Sequence, residues 1–144
     1  MPTLADKRPA TVWILMVLLA IQALGAIAGG VGLVQDPVDN IGMPLSMLEG
    51  SPFSDYLVPG LILLIVVGLL PLAALVGVAR SRIWGWWLAA AAGAGLVIWI
   101  ITEVILLGYL PGAGIGLQIV MGILGVLVLV FVFAEPTRRY MRGR

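Results

Sequence analysis

Four apolar runs, each about as long as a bilayer core is thick, leave this chain little choice of fold. Thr11 to Val34 is interrupted only by Gln22, and Leu57 to Ala79 carries no charge. Trp84 to Gly108 carries one charge, Glu103, and in Ile115 to Ala134 the only strongly polar side chain is Gln118. At about 1.5 Å of rise per residue, roughly 20 helical residues cross a hydrocarbon core of about 30 Å. Strands would alternate with period two, and none of these runs does. The expected fold is all-α, a four-helix transmembrane bundle in a single membrane domain covering 1–144. Its spans lie at about 11–34, 57–79, 84–108 and 115–134, with an outer loop at 35–56.

Composition agrees and excludes several functions. Hydrophobic residues make up 62% of the chain and charged residues 10%, with a mean hydropathy of +1.16. A soluble domain carries about a quarter charged residues, so lipid must solvate most of this surface. Histidine and cysteine are absent. That removes imidazole ligation of haem, thiolate zinc sites, and Ser-His or Cys-His nucleophile pairs. No acid–base pair can be assembled within the spans without borrowing loop acids, so we expect no enzyme, no cofactor and no metal site. A net charge of +1 implies no polyanionic partner and no nucleic acid. The partners to expect are the lipid bilayer and either another membrane protein or a homo-oligomer.

The basic residues set the orientation. Lys7 and Arg8 precede the first run, Arg80 and Arg82 separate the second and third, and Arg138, Arg139, Arg142 and Arg144 follow the fourth. All eight positive charges therefore fall on one side. The long connection from Gln35 to Tyr56 carries Asp36, Asp39, Glu49 and Asp55 and no base. By the positive-inside rule both termini are cytoplasmic. Trp13, Trp84, Trp86, Trp87 and Tyr140 should form an inner aromatic belt, and Tyr56 and Tyr109 an outer one. A basic start followed by Ala26-Ile27-Ala28 also fits a cleavable secretory signal. The run is longer than a typical signal core and continues to Val34, so a membrane span is the expectation.

Small residues recur at helix-contact spacing, as Gly25 and Gly29, Ala73 and Gly77, Ala89 and Gly93, Ala91 and Gly95. Such pairs let backbones approach closely in lipid, and packing within the bundle is expected ahead of a homodimer face. Pro71 should kink the second span, because it removes one backbone donor and clashes with the preceding turn. In the outer loop, Pro44 to Glu49 followed by Gly50 reads as a short interfacial helix. Ile41, Met43, Leu45, Met47 and Leu48 make it too apolar to float in water, so it should lie on the interface or cover the bundle mouth. Met43 and Met47 suit apolar packing better than thioether ligation. Ser51, Ser54 and Asp55 are candidate caps for the second span.

Glu103 is the one residue that composition cannot explain. It sits on the order of 8 Å below the outer boundary by helix rise, where a charge is costly. Trp99 shares its helix face four residues earlier, and a carboxylate beside an indole suits an organic cation. Gln118 should lie at the same depth on the fourth span, and Gln22 deeper on the first. Glu103, Trp99, Gln118 and Gln22 are thus the candidate ligand-binding residues. The competing reading is a structural tie between Glu103 and Gln118, with no ligand.

Gly42-Met43-Pro44-Leu45, Ser51-Pro52-Phe53-Ser54-Asp55-Tyr56-Leu57-Val58-Pro59-Gly60, the Arg-rich turn and Trp84-Gly85-Trp86-Trp87 together carry a resemblance. They are similar to a group of small uncharacterised prokaryotic four-span membrane proteins. The likeness covers most of the chain, implies the prokaryotic cytoplasmic (inner) membrane, and brings no activity. Small multidrug resistance transporters place their membrane glutamate in the first span, where this chain has only Gln22. The four-span fold of sterol isomerases and sigma-2-type receptors uses several membrane acids and a histidine that have no counterparts here.

The functional expectation is a non-enzymatic accessory or scaffold component. The alternative is binding or transport of a small amphipathic or cationic molecule at Glu103 and Trp99. The orientation is directly testable, because the chain has no cysteine of its own. Single cysteines placed at Asp39 and Gly114 are expected to react with a membrane-impermeant thiol reagent on intact cells. One at Ser81 should react only after the membrane is opened. Labelling of the Ser81 position from outside would reverse the orientation.

Overall fold

The computed structural model describes residues 7–38, 43–110 and 112–143, except for the side chain of Ala113. Asp39, Ile41, Gly42 and Arg144, used above, lie outside the described residues. Four helices are long and apolar enough to cross a membrane: α1 (Ala10–Gln35), α2 (Leu57–Ala79), α3 (Ile83–Leu107) and α4 (Ala113–Phe133). In lipid every backbone N–H and C=O must be satisfied within the protein, and a helix does this for every residue except those at its ends. A fifth helix, α5 (Glu135–Arg142), is short and polar. The described residues contain no strand.

The helices run alternately up and down. α1 packs against α2 and α4, and α3 against α2 and α4, so the four close into a ring in sequence order. The turns explain this neighbour relation. Arg80-Ser81-Arg82 joins α2 to α3 in three residues, with Ser81 in the left-handed region at φ 54°. Gly108, at φ 72° and ψ −160°, ends α3 in a backbone region that is essentially glycine's alone.

Apolar area drives little association between helices in lipid, so close approach must supply van der Waals contact. A Cβ on Gly30 of α1 would lie 2.7 Å from the Leu64 backbone nitrogen of α2. Gly77 and Gly85 pack α2 onto α3 so tightly that neither has room for a methyl group. The expected pairs divide on this test. Gly77 and Gly93 lie in tight contacts, whereas Gly95 has no neighbour within 4 Å of its Cβ direction and Ala91 is exposed. The Ala91 and Gly95 stripe therefore faces outward.

The interior has three stacked clusters. Val12, Leu15, Leu19, Ala74, Val78, Trp86, Val128 and Val132 fill the end that carries both termini. Ala26, Val67, Leu96 and Leu124 fill the middle, with Trp99 packed against them. Leu33, Leu48 and Tyr56 fill the loop end, together with Met43, Phe53 and Leu107. The described part of the loop between α1 and α2 thus folds over the bundle mouth. Its helical part is a single 3-10 turn, Leu45–Leu48, closed by Gly50 at φ 88°. Met43 packs as an apolar side chain in this cluster. Among the candidate caps, Asp55 accepts the Leu57 N–H at 2.9 Å, while Ser51 accepts that of Phe53 at 3.3 Å.

Two aromatic expectations need correction. Tyr56 is not in an outer belt. It is buried and donates to the Pro44 carbonyl at 3.2 Å, tying the loop down, and burial pushes its phenol above the usual tyrosine value. Trp86 is not in an inner belt either. It is 3% exposed and donates to the Val132 carbonyl at 2.9 Å. Trp13, Trp84 and Trp87 remain exposed at the end that carries α5, and Tyr109 at the loop end.

Candidate functional site

Glu103 is brought together with Gln118, a neutral amide, and among the described residues no basic side chain forms an ion pair with it. The Gln118 amide nitrogen donates to Glu103 Oε1 at 2.9 Å and lies 3.3 Å from the Gly108 carbonyl. The Gln118 amide oxygen accepts the Leu110 N–H at 3.1 Å. Gln118 is only 4% exposed, while Glu103 is half-buried. The local sequence explains the need. α3 ends at Leu107, so carbonyls of its last turn lack helical donors and the following N–H groups lack acceptors. Gln118, one turn into α4, supplies both kinds of partner to that turn and spends its remaining N–H on the acid.

Trp99 sits one turn deeper, packed in the middle cluster with Leu96 and Leu124. Gln22 is elsewhere. Its side chain is fully buried, and its amide nitrogen donates across the bundle to the Ala92 carbonyl of α3 at 3.0 Å. By helix rise, Ala92 lies roughly 16 Å below Glu103. The four candidate residues therefore form a pair at the loop end, an indole in the core below it, and a separate polar centre at mid-membrane. An open apolar groove of about 440 Å³ runs between α3 and α4. Ile100, Val104, Ile119 and Ile123 wall it, and Tyr109 and Gln118 stand at its loop end.

A second polar assembly, at the opposite end, was not anticipated from sequence. Arg8 donates to the Ala79 carbonyl at 2.8 Å and contacts the Tyr140 hydroxyl at 3.4 Å. That hydroxyl lies 2.8 Å from Ser81 Oγ. Thr137, fully buried, donates to Thr11 at 2.9 Å. These bonds fasten α5 across the base of the bundle. The signal for α5 was present in Glu135-Pro136 followed by Arg139 and Arg142. Proline in the first turn, an acid at the start and bases at the end are the markers of a helix matched to its dipole.

No group of three or more metal-binding side chains occurs among the described residues. No family model, curated protein or solved structure matches the chain. The arrangement at Glu103 can hold a carboxylate in place and order the α3–α4 turn.

The two partners should respond differently to substitution. Gln118→Leu leaves the Leu110 N–H and the acid without their partner and should cost about 1–3 kcal/mol. Glu103→Gln keeps an oxygen acceptor for Gln118 and should change stability by less than about 1 kcal/mol. Unfolding of both variants in detergent measures the difference, and equal losses would contradict the assignment of Gln118 as the organiser of the turn.

Proposed function

We propose that this chain is a small non-enzymatic accessory or scaffold component of a prokaryotic cytoplasmic membrane, with both termini in the cytoplasm. It packs against a larger membrane complex or against a second copy of itself. The observation that carries this reading is the Glu103–Gln118 pair. The membrane acid is held by a side chain whose other bonds close a turn, which is what a structural tie requires. The outward small-residue stripe of Ala91 and Gly95 adds a surface on which another helix can approach closely. The eight bases on one side support the orientation.

Binding of an organic cation is the second reading. It is favoured by the half-exposure of Glu103 and by Trp99 one turn away on the same helix. One purification separates the two. Protein extracted gently from native membranes is expected to migrate as a complex larger than one chain, and Glu103→Gln should leave that complex intact. A chain that consistently emerges alone would count against the scaffold. Quenching of tryptophan fluorescence by a hydrophobic amine, lost in Glu103→Gln, would transfer the assignment to cation binding.

A further inference from the structure

The net charge of +1 conceals a strong separation of charge. In the sequence all eight basic residues fall before the first span, between the second and third, or after the fourth, and those segments hold only two acids, Asp6 and Glu135. The fold gathers the described bases onto one face. Arg80 and Arg82 flank the α2–α3 turn, and Ser81 between them meets Tyr140 of α5. Arg138, Arg139 and Arg142 project from α5, whose opposite face is buried through Thr137 and Met141. Arg8 crosses from the start of α1 to the last carbonyl of α2.

Several of these bases are not consumed by the protein. Arg139 pairs with Glu135 at 2.7 Å, but the pair is exposed, with side chains 78% and 67% accessible, and is worth little in water. Arg142 lies over the Trp86 ring at 5.6 Å, a contact that leaves its fork of N–H groups available. Lys7, Arg80, Arg82 and Arg138 are exposed. Trp13, Trp84 and Trp87 stand around the same end with 54%, 44% and 62% exposure, the level at which indoles meet lipid headgroups. Arg80 and Arg82 lie within three residues of the ends of membrane-length helices, so their side chains reach headgroup phosphates without leaving the protein.

We propose that this basic end is a docking surface for anionic phospholipid, with Arg80, Arg82 and Arg138 binding headgroup phosphates beside the exposed tryptophans. A lipid is favoured over an acidic protein because the guanidinium groups and indoles lie together where the helices leave the hydrocarbon. A phospholipid there satisfies charge and apolar surface at once. Arginine suits phosphate because its planar fork donates two parallel hydrogen bonds. The surface depends neither on Glu103 nor on which compartment it faces, so it stands or falls independently of the scaffold reading.

The test uses the full chain purified in neutral detergent, titrated with phosphatidylglycerol or phosphatidylcholine and read by native mass spectrometry and thermal unfolding. Phosphatidylglycerol is expected to remain bound and to raise the unfolding temperature, whereas phosphatidylcholine should do neither. The triple variant Arg80→Gln, Arg82→Gln, Arg138→Gln should bind phosphatidylglycerol on the order of a hundredfold more weakly, at about fivefold per base. Glu49→Gln, exposed at the other end, should bind as wild type does. Unchanged unfolding of the lipid-free triple variant would confirm that the loss is one of binding. Equal retention of the two lipids, or an undiminished preference in the triple variant, overturns the proposal. Retention of soluble polyglutamate in place of lipid would assign the surface to an acidic protein instead and also overturn it.

Discussion

The rest of the bundle is organised around a glutamine in its centre. Gln22 is fully buried and reaches across the ring from α1 to the Ala92 carbonyl of α3. Its second donor approaches the Val67 carbonyl of α2, at a long 3.5 Å. Both neighbours are acceptors, which fixes the nitrogen toward them. One side chain thereby ties three helices at a depth where no water competes. The reach is possible because the axis is lined with small residues, Ala23, Ala26, Ala89, Ala92 and Gly93, all buried. A larger side chain at Ala92 would occupy the space through which the amide passes.

Val67 has a reason to need a donor. In an α-helix its carbonyl would pair with the N–H of residue 71, and Pro71 has none. The preceding stretch, Leu63–Leu69, is wound as a wider π-helix, a local adjustment that often accompanies such a break. A related need arises at the base of the bundle. α4 ends at Phe133 and Ala134 is not helical, so the Val132 carbonyl has no helical donor, and the Trp86 indole takes it. In both places a neighbouring helix supplies a donor that the chain's own helix lacks, so the irregularity becomes a cross-link. The gain at Gln22 is partial, because its amide oxygen is buried without a donor, and such an atom costs about 1–3 kcal/mol. The centre is therefore built for a defined arrangement more than for maximal stability.

Much of the architecture was legible in the sequence because lipid imposes simple rules. Four apolar runs, short second and third connections and a compact outer loop follow from length and polarity alone. Pairing of Glu103 with Gln118 was also within reach, since each is among the few polar groups in its span and they fall at one depth. The role of Gln22 was not, because depth along a helix does not say which way a side chain points. Trp86 and Tyr56 were misread for a related reason. Position near a helix end suggested a belt, but whether a ring faces lipid or core depends on a rotation that near-uniform apolarity hides. The fifth helix is marked by its proline, acid and arginines, but it is short and polar and lacks the apolar run that makes the four spans legible.

The central claim, that Gln22 replaces a donor lost at Pro71 while holding α1 to α2 and α3, is tested most directly by a double-mutant cycle. Unfolding free energies in detergent would be measured for wild type, Gln22→Met, Pro71→Ala and the double variant. Methionine keeps the length of the side chain and removes its hydrogen bonds. With Pro71 present, Gln22→Met is expected to cost about 1–2 kcal/mol. In the Pro71→Ala background, where the helix regains an N–H, the same change should cost roughly half as much or less. Equal costs in the two backgrounds, or no cost in either, would contradict the account.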